Sequence, residues 1–285
     1  MRFSYPFPEL AKEVEKRKGK QAQEGEEVQG KGGVEGEQGA SSVALQARRI
    51  FDGLSFEVEP GSTVALVGPS GCGKSTITRL LLRFYDVDGG SVRINGQDVR
   101  DVERKSVAGH VGVVPQDTVL FNDTVRNNIA YGRLGCSEEQ IDTAAQDARL
   151  ELALSRMPAG LDTVVGERGL KLSGGEKQRV SVARAMLADK PILICDEATS
   201  SMDAETERYV MSALRELSRG RTSILIAHRL HTVQFADKIV VIDGGRVAEE
   251  GTHAELMRRE GGLYRGLWRQ QQQRGREENG ALTSD

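Results

Sequence analysis

A glycine-rich segment between an apolar run and a helical stretch constrains the fold more than any other feature of the sequence. Residues 63–67 (TVALV) are apolar, residues 68–76 (GPSGCGKST) follow, and residues 77–82 (ITRLLL) have helical character. Glycines allow successive backbone N–H groups to turn inward, and the helix N-terminus adds partial positive charge. Residues 68–76 are therefore predicted to form a phosphate loop on a strand-to-helix connection.

Two residues of the phosphate loop have distinct predicted roles. Lys74 reaches the β- and γ-phosphates of a nucleotide, and Ser75 supplies a hydroxyl to Mg²⁺. A glycine-rich turn without chemical function would explain the glycines but not these two residues. Cys72 lies at the helix N-terminus, where thiols tend to be acidified, so alkylation there is expected to block activity and ATP to protect. The predicted nucleotide-binding residues of the loop are Gly68, Pro69, Ser70, Gly71, Cys72, Gly73, Lys74, Ser75 and Thr76.

Short apolar runs alternate with amphipathic stretches from residue 50 onward. This alternation is typical of an α/β domain with buried, largely parallel strands. Ser137 and Gln140 form a capping-box pattern that predicts a helix from there. Residues 122–169 contain no convincing strand, which predicts a helical subdomain inserted into the α/β core. The predicted strands are residues 63–67, 92–94, 111–114, 192–195, 223–226 and 239–242.

Two adjacent carboxylates, Asp196 and Glu197, follow the apolar run at residues 191–195. Ligands of open α/β sheets bind at the carboxyl ends of the strands. Asp196 therefore suits coordination of Mg²⁺, and Glu197, on the other side of the strand end, suits orienting or deprotonating an attacking water. An isolated Asp-Glu pair is often only solvated, but a pair downstream of a phosphate loop favours the functional interpretation.

A second candidate anion site lies at residues 172–176 (LSGGE), the signature segment, just before a helix predicted at 180–187. Serine and glycines at a helix start offer exposed N–H groups and one hydroxyl. Two phosphate sites in one chain indicate two half-sites. With these motifs the sequence resembles the nucleotide-binding domain of ABC transporters, whose signature is Leu-Ser-Gly-Gly-Gln/Glu. The resemblance covers about residues 50–267.

The resemblance implies a P-loop NTPase (RecA-like) core with an antiparallel β subdomain and an inserted all-helical signature subdomain at about residues 117–180. It also implies that ATP and Mg²⁺ bind, and that ATP is hydrolysed between two domains packed head to tail. The catalytic residues would be Glu197, His228, Lys74 and Gln116, and Mg²⁺ would be held by Ser75, Gln116 and Asp196. The residues acting in trans would be Ser173, Gly174, Gly175, Glu176 and Asp203.

Several single residues depend on this resemblance. Gln116 matches the Q-loop glutamine, which touches Mg²⁺ and couples the core to the helical subdomain. His228 matches the switch histidine that contacts the γ-phosphate, although a lone histidine after a strand is more often structural. Asp203 matches the D-loop aspartate, with Met202 where leucine is usual. Tyr5 matches the A-loop aromatic that stacks on adenine, but it reaches the ring only if residues 9–46 loop out at the surface.

The subfamily follows from longer phrases of the sequence. Residues 165–169 resemble the X-loop of exporters, and the gap between Gln116 and the signature is too short for the coiled coil of chromosome and repair ATPases. Residues 83–86, 112–124 and 165–179 are most similar to B-subfamily half-transporters of the mitochondrial iron–sulfur-related and heavy-metal-tolerance branch. The resemblance implies glutathione-type or porphyrin-type cargo and a position on the cytosolic or matrix side of a membrane, such as the mitochondrial inner membrane. The implied partners are a second nucleotide-binding domain, identical or from a paired half-transporter, and an exporter transmembrane domain.

Composition excludes some classes and marks the chain's ends. Lys and Arg number 39 against 42 Asp and Glu, so no basic field exists for nucleic acid. The three scattered cysteines suit free thiols, and no apolar run approaches the roughly 20 residues of a spanning helix. We expect a first strand at residues 1–8, a disordered insertion or binding arm at 9–46, the domain at 47–267 and a flexible tail at 268–285. Because the chain begins inside the expected first strand, we also expect a domain cut from a protein with an upstream membrane region.

Two other classes of ABC protein are alternatives to an exporter. A soluble ABC-type switch on ribosomes or chromatin would carry tandem domains or basic arms. A non-hydrolysing binding module would have lost the acid at 197 or the histidine at 228. The sequence shows neither set of features.

Overall fold

The computed structural model describes residues 2–4, 49–167, 170–198, 202 and 204–281, with the side chains of 2–4, 204 and 274–281 left aside. Tyr5, Asp203, the predicted insertion at 9–46 and part of the predicted X-loop lie outside the described residues. The strands are β1 (Arg2–Ser4), β2 (Arg49–Asp52), β3 (Thr63–Val67), β4 (Arg93–Ile94), β5 (Gln97–Asp98), β6 (Val111–Val114), β7 (Asp123–Thr124), β8 (Val164–Val165), β9 (Ile192–Asp196), β10 (Thr222–Ile226), β11 (Lys238–Asp243) and β12 (Arg246–Gly251). The helices are α1 (Lys74–Leu81), α2 (Arg104–His110), α3 (Val125–Ala130), α4 (Glu138–Asp147), α5 (Glu151–Leu154), α6 (Gly174–Ala188), α7 (Ala204–Ser218), α8 (His253–Arg258) and α9 (Leu263–Ala281).

A six-stranded sheet forms the centre of the fold, in the order β12-β11-β3-β10-β9-β6. All neighbouring pairs are parallel except β11 and β12. Every residue of β3 is buried, as expected for a strand covered on both faces. The mixed α/β class with a parallel sheet is confirmed, and smaller antiparallel pairs join β1 to β2 and β4 to β5.

Alternate residues of β3 contribute to two separate cores, because successive strand side chains point to opposite faces. Ala65 and Val67 belong to the larger core, with residues of helices α3 to α7 and Tyr264 of α9. Val64 and Leu66 belong to the smaller core, with Phe51 and residues of α1. The sheet is therefore sandwiched between helices, and the loops after β3, β9 and β10 meet at one edge.

Helices α3, α4 and α5 lie within residues 122–167, together with a strand pair that the sequence did not reveal. Strands β7 and β8 pair antiparallel, with Asp123 opposite Val165 and Thr124 opposite Val164. Two residues per strand are too few for an alternating pattern to appear. The capping box at Ser137 and Gln140 is confirmed at the start of α4, whereas helix α6 begins inside the signature segment rather than after it.

Helix α9 continues through Ala281, into the region predicted to be a flexible tail. Both Glu249 side-chain oxygens accept bonds at the start of α9, from the backbone N–H groups of Leu263 and Tyr264. Tyr264 is fully buried, and Trp268 packs against the larger core. These contacts hold the first turns of helix α9 against the rest of the domain. Among the described residues, no helix combines the length and apolar character needed to cross a bilayer.

Candidate nucleotide site

The phosphate loop connects buried strand β3 to helix α1, as predicted. Gly73, at the helix N-cap, has φ 102°, and a Cβ there would lie 2.6 Å from the Phe51 ring. Only glycine therefore fits this backbone without rearrangement. No side chain caps helix α1 within the described residues, so its N-terminal dipole faces the loop without a neutralising group.

Lys74 is buried inside the curve of the phosphate loop. Its side chain is only 5% exposed, and Nζ donates to the backbone carbonyls of Gly68 at 2.9 Å and Pro69 at 3.1 Å. A buried ammonium is costly unless its donors are satisfied, and these carbonyls satisfy two of them. The loop thus holds a positive charge beside a helix N-terminus, which is an arrangement suited to phosphate.

Cys72 corrects one prediction from the sequence. Burial raises the pKa of this thiol above its ordinary value, and that effect outweighs the charge of nearby Lys74, which lowers it. Nζ of Lys74 lies 3.9 Å from the sulfur. The predicted acidified thiol is therefore wrong, because loss of water around the thiolate dominates the helix-terminus effect.

Asp196 and Ser75 meet at the carboxyl end of the sheet. Asp196 is the last residue of β9, and the Ser75 hydroxyl donates to its Oδ1 at 3.3 Å. Burial raises the pKa of Asp196, and the adjacent Glu197 charge adds to the effect. Carboxylate and hydroxyl oxygens are ligands that Mg²⁺ accepts, so this pair fits the predicted metal. A cation here would also offset the charge repulsion between the two acids.

Glu197 occupies a strained backbone position. Its φ is 46°, in the left-handed region, and its N–H donates to the carbonyl of Ile226 at 2.9 Å. The Glu197 side chain is 9% exposed, and its Oε1 lies 2.8 Å from Nε2 of His228. The two residues meet because β9 and β10 are neighbours and end at the same edge. Strain of this kind persists only where surrounding contacts fix it, and it is common at functional sites.

Gln116 lies in an exposed turn after β6, within residues 115–118, which form the Q-loop segment. Helix α6 holds this segment through the buried Gln178, a residue that sequence reasoning missed. Nε2 of Gln178 donates to the Pro115 carbonyl at 2.9 Å, and the Thr118 hydroxyl donates to Gln178 Oε1 at 2.9 Å. The only sequence signal was a polar residue on the buried side of an amphipathic helix.

Ser173 is exposed, as predicted, and its side chain also caps helix α6. Its hydroxyl accepts from the Glu176 N–H at 3.3 Å and donates to the Glu176 carboxylate at 2.9 Å. The Ser173 N–H donates to the same carboxylate at 2.8 Å. This reciprocal arrangement is a capping box, so a negative charge already occupies the start of helix α6.

A buried glutamate connects the switch segment, residues 228–231, to helix α7. Glu207 is 7% exposed and receives Arg229 at 2.8 Å and His231 at 3.1 Å. Arg229 also lies 3.4 Å from the Met202 carbonyl, next to the predicted D-loop aspartate. Sequence reasoning did not single out Glu207, because a glutamate on a helix gives no sign of burial.

Most of this chain is similar to known proteins. Residues 51–200 match the family model described as ABC transporter. The ATM1-type heavy metal exporter of Novosphingobium aromaticivorans is 54% identical over 79% of this chain and 37% of that protein. The mitochondrial ABC transporter B family member 24 of Arabidopsis thaliana is 52% identical over 80% of this chain and 33% of that protein.

One solved structure is similar to this chain in both fold and sequence. The fold matches a bacterial Atm1-family ABC exporter with ATP bound at a TM-score of 0.74 and 54% identity, covering 79% of this chain and 40% of that one. These relatives confirm the predicted resemblance to exporters of this branch and do not favour a soluble switch. The chain spans little more than a third of the length of these curated relatives. The chain belongs to the ABC transporter family.

Proposed function

We propose that this chain is the ATP-hydrolysing motor domain of an ABC exporter, which drives transport by ATP-dependent dimerisation. The observation that carries the proposal is the presence of two side-chain pairs at one edge of the sheet. The Ser75 hydroxyl lies 3.3 Å from Asp196 Oδ1, and His228 Nε2 lies 2.8 Å from Glu197 Oε1. The first pair suits a metal and the second suits a water molecule. Both pairs lie next to a phosphate loop with a buried lysine.

In this proposal Glu197 accepts a proton from the attacking water, and His228 fixes the glutamate and contacts the γ-phosphate. Lys74 stabilises the charge on the transferring group. Ser75, Asp196 and Gln116 would hold Mg²⁺. When bound, the metal neutralises charge on the β- and γ-phosphate oxygens. Tyr5 would stack on adenine.

The signature segment is proposed to act on the nucleotide of a second domain. Ser173, Gly174, Gly175 and Glu176 lie in a proposed helical subdomain, at about 117–180, attached to a RecA-like core. These four residues would face the partner's phosphates, as would Asp203 of the D-loop, which lies outside that subdomain. The support is that helix α6 begins inside the signature segment, so the backbone N–H groups of Gly174 and Gly175 lie in the first turn of a helix, where a phosphate can accept from them. The partner would be an identical chain or a paired half-transporter.

A transmembrane domain is the second proposed partner. Large apolar side chains lie exposed around the Q-loop segment and helix α3, at Val119, Phe121, Tyr131 and Leu134, with exposures from 47% to 85%. Such a cluster favours contact with another protein surface. By analogy with the names of the relatives, we propose a heavy-metal-related cargo and a mitochondrial or other membrane. The glutathione-type or porphyrin-type cargo that the resemblance implies stays part of this proposal.

Glu197→Gln is the test of the proposed function. The change keeps the size of the side chain and removes its ability to take a proton. We expect ATP turnover to fall by about 100-fold or more, and the chain to accumulate as an ATP-bound dimer in size-exclusion chromatography. Glu216→Gln is the control, since Glu216 is an exposed acid paired with Arg219 on α7. Turnover unchanged by Glu197→Gln would contradict the proposal.

A further inference from the structure

The C-terminal helix reaches the switch segment through one side chain, Gln271. Its Nε2 donates to the carbonyl of His228 at 2.5 Å, and its Oε1 accepts from the N–H of Leu230 at 2.8 Å. The single amide therefore binds the backbone on both sides of Arg229. These bonds join residues more than 40 positions apart in sequence.

Helix α9 is anchored well enough to make this contact a fixed one. Tyr264, Trp268 and Gln271 are spaced for one helix face. Tyr264 is fully buried, and its hydroxyl lies 2.8 Å from Nδ1 of His253. The Trp268 ring lies 4.8 Å from the His253 ring. The helix thus presents Gln271 from a base that is packed into the domain.

Gln271 belongs to a run of four glutamines, residues 270–273, and differs from the other three. Gln271 is half-buried, whereas Gln270, Gln272 and Gln273 are exposed. Low sequence complexity therefore conceals one specific contact. Gln178 holds the Q-loop segment in a similar way, because its buried side-chain amide donates to the Pro115 carbonyl and accepts from the Thr118 hydroxyl.

We propose that Gln271 is a positioning residue for ATP hydrolysis, and that helix α9 fixes the switch segment so that His228 lies correctly against Glu197. Glu207 holds the side chains of Arg229 and His231 from one direction. Gln271 holds the backbone from another. Without the amide, the His228 carbonyl and Leu230 N–H lose their partner, and the imidazole loses the support that sets its position. Small misplacements of catalytic groups reduce rates by large factors.

The inference rests on the proposed function, since the position of His228 matters only if the chain hydrolyses ATP. The test uses the whole chain with MgATP and three variants: Gln271→Met, Gln271→Ala and Gln272→Met. Methionine has nearly the same length and helix propensity as glutamine, so Gln271→Met removes the hydrogen bonds and keeps the packing. Gln272→Met makes the same chemical change one residue along, at an exposed position.

We expect kcat to fall about tenfold in both Gln271 variants, with KM for ATP and binding of a fluorescent ATP analogue changed less than about twofold. Exchange of the Leu230 amide proton, followed by NMR, should accelerate in the same two variants. Gln272→Met should match the wild type in every assay.

Three results would overturn the inference. The first is a Gln271→Met variant that retains kcat although the Leu230 amide exchanges faster. The second is a methionine variant that behaves as wild type while the alanine variant does not, because that pattern indicates space filling alone. The third is an equal loss in Gln272→Met, which indicates a general effect on the helix. A wild-type chain without ATP turnover would instead contradict the proposed function, and the inference with it.

Discussion

Helices α1 and α6 both begin in glycine-rich segments that are candidate phosphate-binding sites, yet the two helix starts differ in their capping and charge. Helix α1 begins at Gly73 and Lys74, with no side-chain cap and with a buried ammonium inside the loop. Helix α6 begins at Ser173 with a complete capping box closed by the Glu176 carboxylate. The first helix start carries net positive character, and the second is already neutralised by its own acid.

This difference suggests a division of labour between the two half-sites. An uncapped helix start with a lysine is prepared for phosphate before any partner arrives. A capped start must give up a hydrogen bond from Ser173 to its own Glu176 before the hydroxyl can turn to an anion. We therefore expect the phosphate loop to determine binding of ATP, and the signature segment to respond only when a second domain closes.

The largest effect is expected at the phosphate loop. Lys74→Met should reduce ATP turnover by about 100-fold or more and weaken ATP binding, because it removes the charge that stabilises the phosphates. Lys177→Met supplies the matched control, since Lys177 lies in the first turns of helix α6. Its ATP affinity, measured by equilibrium titration with a fluorescent analogue, should stay within about twofold of the wild type. Equal losses in both variants would remove the distinction between the two helix starts.

The next prediction separates packing from function within the signature segment. A Cβ at Gly175 would lie 1.9 Å from Cγ2 of Thr206 on helix α7, whereas a Cβ at Gly174 would meet nothing within 4 Å. Gly175→Ala should therefore destabilise the fold by about 1–3 kcal/mol. Gly174→Ala should leave the melting temperature unchanged.

The loss of ATP turnover in these glycine variants should not parallel their loss of thermal stability. If Gly174 faces the partner's nucleotide, as proposed, Gly174→Ala should reduce turnover about tenfold with ATP binding unchanged. Thermal denaturation and ATPase rates on the same preparations give both answers. A Gly174→Ala variant with normal stability and normal turnover would mean that this helix start does not act in trans.

The elements that could be predicted from the sequence are those specified by a short local pattern of residues. The run TVALV predicted β3 with correct bounds because all five residues are buried, and Ser137 with Gln140 predicted a capping box that the structure contains. The phosphate loop and the two acids could also be named, because each follows an apolar run that marks a strand end, whereas the switch histidine could be named only from the resemblance to ABC nucleotide-binding domains. The close approach of Glu197 to His228 follows from the adjacency of β9 and β10.

Other features depend on packing that no local pattern encodes. Gln178 and Gln271 bind the backbone of segments far away in sequence. Gln178 stands just before the helix predicted at 180–187, and Gln271 stands in the predicted flexible tail, so neither looked like a structural contact. The β7 and β8 strands are too short to show alternation. The lowered pKa predicted for the Cys72 thiol is wrong for a related reason, since the position at a helix start is visible in sequence but its burial is not.

The pH dependence of Cys72 alkylation tests the raised pKa of this thiol at the start of helix α1. Its folded pKa is raised, so at pH 8 the folded chain contains less thiolate than the unfolded chain, in which the thiol takes its ordinary value. Alkylation by iodoacetamide should therefore be several-fold slower in buffer than in denaturant. The rate in buffer should rise about tenfold per pH unit as long as the pH stays below the pKa.

Mass spectrometry of the peptide that contains Cys72 would measure both rates. MgATP should slow the reaction further, because the nucleotide would cover the loop. A folded chain that reacted faster than the denatured one would restore the original prediction of an acidified thiol.

The smallest effect is expected at the second helix start, from Glu176→Gln. Glutamine keeps an oxygen that can accept from the Ser173 N–H but removes the negative charge that competes with an approaching phosphate. A charge at a helix terminus is worth about 0.3–1 kcal/mol. The ATP concentration for half-maximal turnover should therefore fall by about two- to fivefold, at a small loss of thermal stability.

Helix α8 offers a matched control, because Thr252 and Glu255 form the same capping box there. Thr252 N–H donates to the Glu255 carboxylate at 2.8 Å, the same length as the bond from Ser173 to Glu176. Glu255→Gln should thus produce a similar shift in melting temperature and no change in ATP dependence. If both variants change the ATP dependence equally, the effect arises from stability. If only Glu176→Gln does so, the acid at the start of helix α6 sets how readily the signature segment accepts a phosphate.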